Sequence, residues 1–450
     1  MEILQAAKIA VQKAQKMGAT QADAIATQKN EITINATNNK LTGLKQRTGN
    51  NESSIGLGLR VIIDKRMAYS YTTIINEQSI EIAVKTAIKL AKNREPDKNF
   101  KNLPKPKKTP KIEGIYDKEI TSPPIEETFE ETRRILEETL ETNKYFNTII
   151  SGNGFIWGET AIANSLGIER KYKESEAYTY IYIIGQKKGI TLTGYEDEEK
   201  RHLREISLNR CKEKAIEYAK ISEKISKTDN GKKKIIIEPS ALSSLMRYAF
   251  IQPIDAYNVQ EGKSYLTDKV EEKIASNKLT IIDDGTLPKG IRTKPVDDEG
   301  TPHQKTTIIQ EGILRNYLYD SYTAHKEDKE STGNASRSYK TAITIEPTNL
   351  KIIGENASKD EMIGELRDGI LVRDLMGAHS TNIATGAFSV VASPAYHIKN
   401  GEIAGQIKGC MMSGTFSDLL MNYELQGEEI TQKSYLVAPP VRFKEVRITL

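Results

Sequence analysis

The chain is poor in the residues that most often hold metals or form crosslinks. Its 450 residues include 2 cysteines, 5 histidines and 1 tryptophan. Cys211 and Cys410 lie far apart in the sequence, so they indicate neither a disulfide framework nor a thiolate metal cluster. No two histidines lie within six residues of each other, which excludes the helical HExxH arrangement of zinc peptidases. A zinc site built from distant histidines stays open, without local support.

Charge of one sign and long apolar runs are also lacking. Lys and Arg number 65 against 61 Asp and Glu, a net charge of +4, so the basic excess of nucleic-acid-binding proteins is absent. We therefore expect no direct nucleic-acid partner. No stretch approaches the roughly 18 uncharged apolar residues of a membrane span. The N-terminal sequence MEILQAAKIA lacks the basic and apolar regions of a signal peptide, so we expect a soluble cytoplasmic protein.

The sequence contains neither a G-x-S-x-G nucleophile elbow nor a G-x-x-x-x-G-K-[ST] phosphate loop. Paired glycines occur in GLGLRV at 56–61 and GNGFIWG at 152–158, both within strand-like sequence. They indicate close backbone packing in a sheet rather than a dinucleotide site. The acid pairs Asp283–Asp284 and Asp297–Asp298 lie in turn contexts, which favours turn chemistry over carboxylate catalysis.

The apolar periodicity predicts an α+β fold with a large antiparallel, barrel-like β domain at the C-terminus. Residues 95–112 hold four prolines and six lysines, which indicates an extended, solvated linker. The predicted organisation is an N-terminal α+β domain at 1–94, a Pro/Lys-rich linker at 95–112, a middle α+β domain at 113–228 and a β-rich domain at 229–450.

Several helices and one turn can be predicted with specific limits. Period-3.6 patterns predict helices over 3–17 and from an N-cap at Asn76 to about Lys92. A tight turn near Asp64–Lys65 is expected to join two strands. A helix is predicted over 239–251, ended by Pro253 because the residue before a proline disfavours the α region. The apolar stripe predicted for this last helix is Leu242, Leu245, Met246, Ala249 and Phe250.

Sequence segments along nearly the whole chain resemble the TldD/PmbA family, also known as the modulator of DNA gyrase family. The segments that carry the resemblance are GLGLRVIIDKRMAYSYT, IIDDGTLPKG, VDDEGTP, EGILRNYLYD, TGNASRS and LMGAHSTNIATGAFSVVASPAYHIKNGEIAG. The phrase TGAFS…YHIKNGEI is similar to the PmbA branch, also called TldE. The resemblance implies the same three-part architecture.

The resemblance also implies a site. TldD-type chains carry an HExxxH motif on a helix early in the C-terminal domain, with a cysteine near the C-terminus completing a metal site. At the matching positions this chain has Arg247, Tyr248, Gln252 and, within a residue or two, Lys433. Arginine cannot deprotonate to bind a cation, and glutamine is a poor zinc ligand. Tyrosine cannot replace the glutamate as a base on metal-bound water at neutral pH.

We therefore expect no catalytic residue, metal or other cofactor in this chain. The resemblance implies a non-catalytic subunit paired with a TldD-like chain that holds a zinc-type divalent metal, the pair cleaving unfolded proteins or peptides. A homodimer is the expected state of the isolated chain. Two alternatives stay open: a regulatory module that binds a protein target, of the gyrase-modulator type, and an autonomous peptidase with a relocated metal site.

Overall fold

The computed structural model describes residues 1–47 and 54–450. Its α-helices are α1 (Ile3–Lys16), α2 (Glu77–Lys92), α3 (Ile125–Thr142), α4 (Leu208–Ile221), α5 (Pro239–Met246), α6 (Gln252–Ile254), α7 (Ala256–Gln260), α8 (Ser321–Lys326), α9 (Lys359–Gly364) and α10 (Phe416–Met421). Its strands are β1 (Gln21–Thr37), β2 (Lys40–Arg47), β3 (Ile55–Ile63), β4 (Arg66–Thr72), β5 (Phe146–Asn164), β6 (Glu169–Lys187), β7 (Ile190–Lys200), β8 (Gly231–Ile237), β9 (Thr280–Asp284), β10 (Lys305–Gln310), β11 (Ile313–Leu314), β12 (Ala335–Ser336), β13 (Thr344–Ile345), β14 (Leu350–Ile353), β15 (Asn356–Ala357), β16 (Asp368–Val372), β17 (Leu375–Met376), β18 (Ala387–Ala392), β19 (Ala395–Lys399), β20 (Glu402–Ile407), β21 (Met411–Thr415), β22 (Tyr423–Gly427), β23 (Thr431–Lys433), β24 (Leu436–Ala438) and β25 (Val441–Thr449). Among the described residues, no helix is both long and apolar enough to cross a membrane.

The local signals of the N-terminal region are confirmed. The Asn76 side chain caps α2 by accepting a hydrogen bond from the backbone N–H of Ser79 at 2.8 Å. Asp64 and Lys65, with φ of 47° and 66°, form the two-residue connection between β3 and β4. Left-handed backbone at both positions matches the twist of the flanking strands in such a tight hairpin.

One sheet joins the N-terminal and middle regions. Its strand order is β4-β3-β1-β5-β6-β7, with β2 also paired to β1. β1 and β5 pair antiparallel from Asp23↔Asn164 to Ala36↔Ser151. Strands on both sides of the proposed linker therefore share a continuous hydrogen-bonded ladder. The domain limits at 94 and 113 stay a prediction of the sequence.

The segment 95–112 contains neither helix nor strand, but it is not solvated throughout. Phe100 and Leu103 are buried and pack with Ile62 of β3. The backbone N–H of Leu103 donates to Oε1 of Gln21 at 2.7 Å. The expectation of a solvated spacer is therefore wrong for this part, because its two large apolar side chains pack against the N-terminal sheet.

The paired glycines have the packing role that the sequence suggested. A Cβ at Gly152 would lie 2.4 Å from the ring of Tyr180, which lies directly opposite on β6. A Cβ at Gly154 would lie 2.1 Å from the ring of Tyr178, its own partner on β6. At Gly58 a Cβ would lie 2.4 Å from the carbonyl oxygen of Tyr339. These strands need glycine because an aromatic ring or another backbone passes over them.

The C-terminal region contains a ten-stranded and a six-stranded sheet around one apolar core. The larger sheet has the path β17-β18-β21-β25-β8-β16-β19-β20 and curls as a half-barrel. Most pairs are antiparallel, whereas β8–β16, β14–β24 and β15–β22 run parallel. The predicted α+β class with a β-rich C-terminal part is confirmed.

A buried ion cluster connects the N-terminal sheet to the C-terminal loops. Arg60 on β3 bonds Asp23 on β1 at 2.8 Å and Glu299 at 2.9 Å, and Arg337 bonds Asp23 at 2.9 Å. All four side chains are at most 3% exposed. Burial raises the pKa of the Asp23 carboxyl, but the Arg337 and Arg60 charges outweigh it and hold the pKa below its ordinary value.

The predicted stripe of the helix after β8 is buried, as expected. Its buried members are Leu242, Leu245, Met246, Ala249 and Phe250. The predicted end at Pro253 is wrong, since helical backbone continues through α6 to Ile254. Pro253 lies in a continuous helix, so its missing N–H removes one helical donor. The carbonyl of Ala249, four residues before it, accepts a hydrogen bond from the Tyr265 hydroxyl at 3.0 Å instead.

Leu245→Ala is expected to lower the free energy of unfolding by about 2–5 kcal/mol, because the side chain is fully buried and its loss leaves a cavity. Denaturant-induced unfolding of the purified variant measures the loss. The matched control is Leu90→Ala on α2, where leucine is 46% exposed, and it should change stability much less. Equal effects of the two substitutions would contradict the packing described.

Candidate functional site

The helix that carries Arg247, Tyr248 and Gln252, the positions matched to the TldD-type metal motif, has a widened turn. After α5, residues Arg247–Ile251 form a π-helical turn that leads into α6. On a regular α-helix, residues five apart are rotated by about 140°. A π turn has i→i+5 bonding, and it brings Arg247 and Gln252 towards one side of the helix. Single π turns of this kind are frequent at functional sites.

Arg247 is held by a carboxylate from a distant part of the chain. Its Nη1 and Nη2 atoms donate to the two carboxylate oxygens of Glu346, at 2.6 and 3.0 Å. The Arg247 side chain is 40% exposed and that of Glu346 25%. The backbone N–H of Glu346 bonds the carbonyl of Asn334. This bidentate geometry fixes the orientation of the guanidinium plane.

The other two helical positions make weaker contacts. The Tyr248 ring meets the ring of His379 edge-on, with centroids 6.5 Å apart. His379 lies in the short turn between β17 and β18 and is exposed. Gln252 is also exposed, and its backbone carbonyl accepts a hydrogen bond from Asn258. The turn thus presents an arginine, a tyrosine and a glutamine, with the ring of His379 against that of the tyrosine.

Lys433 approaches the same helix with its backbone only. Its carbonyl accepts a hydrogen bond from Oγ of Ser243, one turn before Arg247. Its ammonium points away and bonds Glu196 and Asp197 of β7, both at 2.9 Å. Burial would lower the pKa of the Lys433 ammonium, but these carboxylates raise it overall. The structure thus brings Arg247, Tyr248 and Gln252 together and directs the Lys433 charge elsewhere.

The residues of this site do not fit a catalytic metal. A catalytic zinc ion is held by imidazole, thiolate or carboxylate ligands, and this turn offers a guanidinium, a phenol and an amide. Over residues 1–47 and 54–450, no group of three or more His, Cys, Asp and Glu is arranged to hold a metal ion.

The acid pairs flagged in the sequence have structural partners. Asp283 accepts hydrogen bonds from Asn334 and from the backbone and hydroxyl of Thr348. Asp297 accepts from the backbone N–H groups of Glu299 and Thr301, as expected of turn chemistry. Glu346 and His379 were missed by the sequence, because nothing in their local patterns links them to the helix.

The purified chain is expected to bind no stoichiometric zinc, because the turn at 247–252 presents an always-charged guanidinium and no anionic donor of its own. Elemental analysis of protein prepared with excess zinc and then desalted measures this. A content near one zinc per chain that falls on Gln252→Ala would contradict the prediction. Gln12→Ala, at an exposed position of α1, is the control.

Comparison with known proteins places these features in a family. Three models match in order: the PmbA/TldA metallopeptidase domain 1 at 22–91, the central domain at 118–223 and the C-terminal domain at 230–450. An uncharacterized protein of Methanocaldococcus jannaschii is 29% identical over 391 residues, covering 87% of this chain and 88% of its own. The metalloprotease PmbA of Escherichia coli O157:H7 is 23% identical over 411 residues, covering 87% and 85%.

The crystal structure of TldE from Thermococcus kodakarensis superposes with a TM-score of 0.91 at 25% identity. The match covers 99% of this chain and 100% of that one. The similarity therefore extends over nearly the whole chain.

Proposed function

The chain belongs to the TldD/PmbA family, and from this premise we propose that it is the non-catalytic, TldE/PmbA-like subunit of a two-chain metallopeptidase. Its partner is a TldD-like chain with an intact HExxxH motif and a zinc-type divalent metal. The pair cleaves unfolded proteins or peptides in the cytoplasm.

One observation supports this proposal above the others. The helix keeps a π turn at the motif position, yet Arg247 at its start is locked on Glu346. A widened turn of the kind frequent at functional sites is present, while the side chains on it are unsuited to a metal. This combination is more easily explained by a partner subunit than by a catalyst that acts alone.

Terminal strands of the two sheets offer a way to hold an extended peptide. β4 and β17 are terminal strands of their sheets in the described part of the chain. An extended peptide can pair its backbone with such an edge, which gives affinity with little dependence on sequence. In the proposed complex, this subunit contributes the shape of the cavity and the exclusion of bulk water around the partner's metal.

Isolation of the native complex tests the partnership. An affinity-tagged copy of this chain, expressed in its own cells and purified at low salt, should co-elute with one other family chain in equal amount. Peptide mass analysis should find the HExxxH motif in that chain. Recovery of only the tagged chain, as a homodimer or a monomer, would contradict the heteromeric proposal.

The regulatory alternative predicts a different outcome of the same experiment. A module of the gyrase-modulator type would co-purify with a protein target outside the family. Such a complex would lack chelator-sensitive peptidase activity. The two readings are therefore separated by the identity of the partner.

A further inference from the structure

A cavity of about 260 Å³ lies where α4 and β7 of the middle region meet the C-terminal sheet. None of Arg247, Tyr248 and Gln252 lines it. Its volume lies just below the roughly 300–1,000 Å³ typical of pockets for drug-sized ligands, so its occupant is small. The proposed function gives this cavity no role.

The interior of the cavity is apolar. Ile236 and Leu371, on the adjacent strands β8 and β16, are 2% and 4% exposed and form part of its lining. Met362 of α9 is buried beside them, and half-buried Ile403 of β20 adds a further apolar wall. A ligand can therefore bury a hydrocarbon chain here, with a gain that rises with the chain's length.

On one side of the cavity, the charged side chains form hydrogen bonds and ion pairs with one another. The Arg373 guanidinium lies over the Tyr218 ring, 3.7 Å from its centroid. Glu238 accepts hydrogen bonds from the Tyr218 hydroxyl at 2.8 Å and from Arg373 at 2.5 Å. Glu196 bonds both Arg373, at 3.2 Å, and Lys433, at 2.9 Å. These groups hold one another rigidly, so an anionic ligand would have to displace a carboxylate.

The charge of the lining is negative overall. Five glutamates line the cavity against three cationic side chains. The exposed Glu428 lies next to Glu429, which pairs with Lys214 at 2.8 Å. An excess of carboxylates around an apolar interior favours a cation at the polar end of the ligand.

We propose that this cavity binds a small amphipathic cation, with an apolar chain against Ile236 and Leu371 and an ammonium or guanidinium group near the exposed carboxylate of Glu428. The same chemistry occurs in a free alkylamine and in a basic residue beside an apolar one in a peptide. The inference does not rest on the proposed peptidase role.

Calorimetric titration of the full chain with butyl-, hexyl- and octylammonium tests the apolar part. Affinity should rise by up to about fourfold per added methylene until the cavity is filled. Octanoate, with the same chain length and the opposite charge, should bind at least tenfold more weakly than octylammonium. Equal binding of the two, or no dependence on chain length, would overturn the proposal.

Two variants locate the binding. Ile403→Trp should fill the cavity and lower octylammonium affinity at least tenfold, and Glu428→Lys should lower it by placing a cation in the lining. Glu127→Lys on exposed α3, with the same charge change, is the control and should leave affinity unchanged. If Ile403→Trp fails to fold, Glu428→Lys alone decides, and unchanged affinity there would overturn the proposal.

A competition experiment separates the two sources of the cation, a free amine and a basic side chain of a peptide. Acetyl-Leu-Lys-amide that competes with octylammonium would identify a peptide side chain as an acceptable ligand, with acetyl-Leu-Glu-amide as its inactive counterpart. Binding of octylammonium without competition by the dipeptide would assign the cavity to free amines. Either result supports the cation chemistry, and binding of acetyl-Leu-Glu-amide as tight as that of the Lys compound would contradict it.

Discussion

Chelator-sensitive hydrolysis of unfolded peptides is expected only in a mixture of this chain with its TldD-like partner. This chain alone should stay at the background rate, since Arg247 and Gln252 offer no metal donor set. The partner alone should also be inactive, because this chain is proposed to complete the cavity around the partner's metal. A peptidase assay on each chain and on the mixture, with and without chelator, measures this all-or-none difference.

Variants of the mixture sharpen the expectation. Arg247→Ala in this chain should reduce activity far less than replacement of either histidine in the partner's motif. Arg247 contacts Glu346 within its own subunit, so its loss perturbs shape rather than chemistry. Robust chelator-sensitive turnover by this chain alone would refute the assignment, as would full activity of the partner without it.

Arg60→Met is expected to destabilise the protein by about 3–5 kcal/mol, the loss typical when one partner of a buried ion pair is removed. The substitution leaves the fully buried Glu299 without its only cationic partner among the described contacts, and Asp23 with Arg337 alone. Denaturant-induced unfolding gives the loss. Limited proteolysis should also separate the N-terminal sheet from the C-terminal loops more readily.

The loss of stability caused by Arg60→Met is expected to become smaller as the pH falls. The pKa of Asp23 is lowered in the folded protein, so the stability from its ion pairs is present above its ordinary pKa of 3.8 and is lost as pH falls through the folded value. The difference between wild type and Arg60→Met should therefore narrow in strong acid. Lys107→Met is the control, because its pair with Glu330 is exposed and contributes little. Equal effects of Arg60→Met and Lys107→Met would contradict the cluster's role.

Local interactions explain why some elements could be predicted from the sequence. The cap at Asn76 and the turn at Asp64–Lys65 depend on residues at most three apart, so the sequence contains all of their determinants. The buried stripe around Leu245 follows from helical periodicity. The continuation of the helix through Pro253 was not predicted, because the carbonyl that loses its helical donor is satisfied by Tyr265, a contact that the residues around the proline do not indicate.

The buried ion cluster was not predicted, although two of its charged residues stand out within apolar strand sequence. Arg60 interrupts the apolar run of β3, and Asp23 lies between alanines in β1. A charge within an apolar strand indicates a buried partner, but the sequence cannot say which one. Arg337 lies 314 residues from Asp23 and Glu299 lies 239 residues from Arg60, so only the packing of distant segments selects them.

The sequence by itself determined the fold class, the family and the unsuitable donors at positions 247, 248 and 252, because residue identity, periodicity and motif order are properties of the chain. Only the tertiary structure decided that Arg247 is held by Glu346 and that the Lys433 ammonium turns to β7. It also decided that the strands before and after the linker form one sheet. These contacts join residues from about 100 to 240 positions apart, and which of them form depends on strand pairing and burial across the whole molecule.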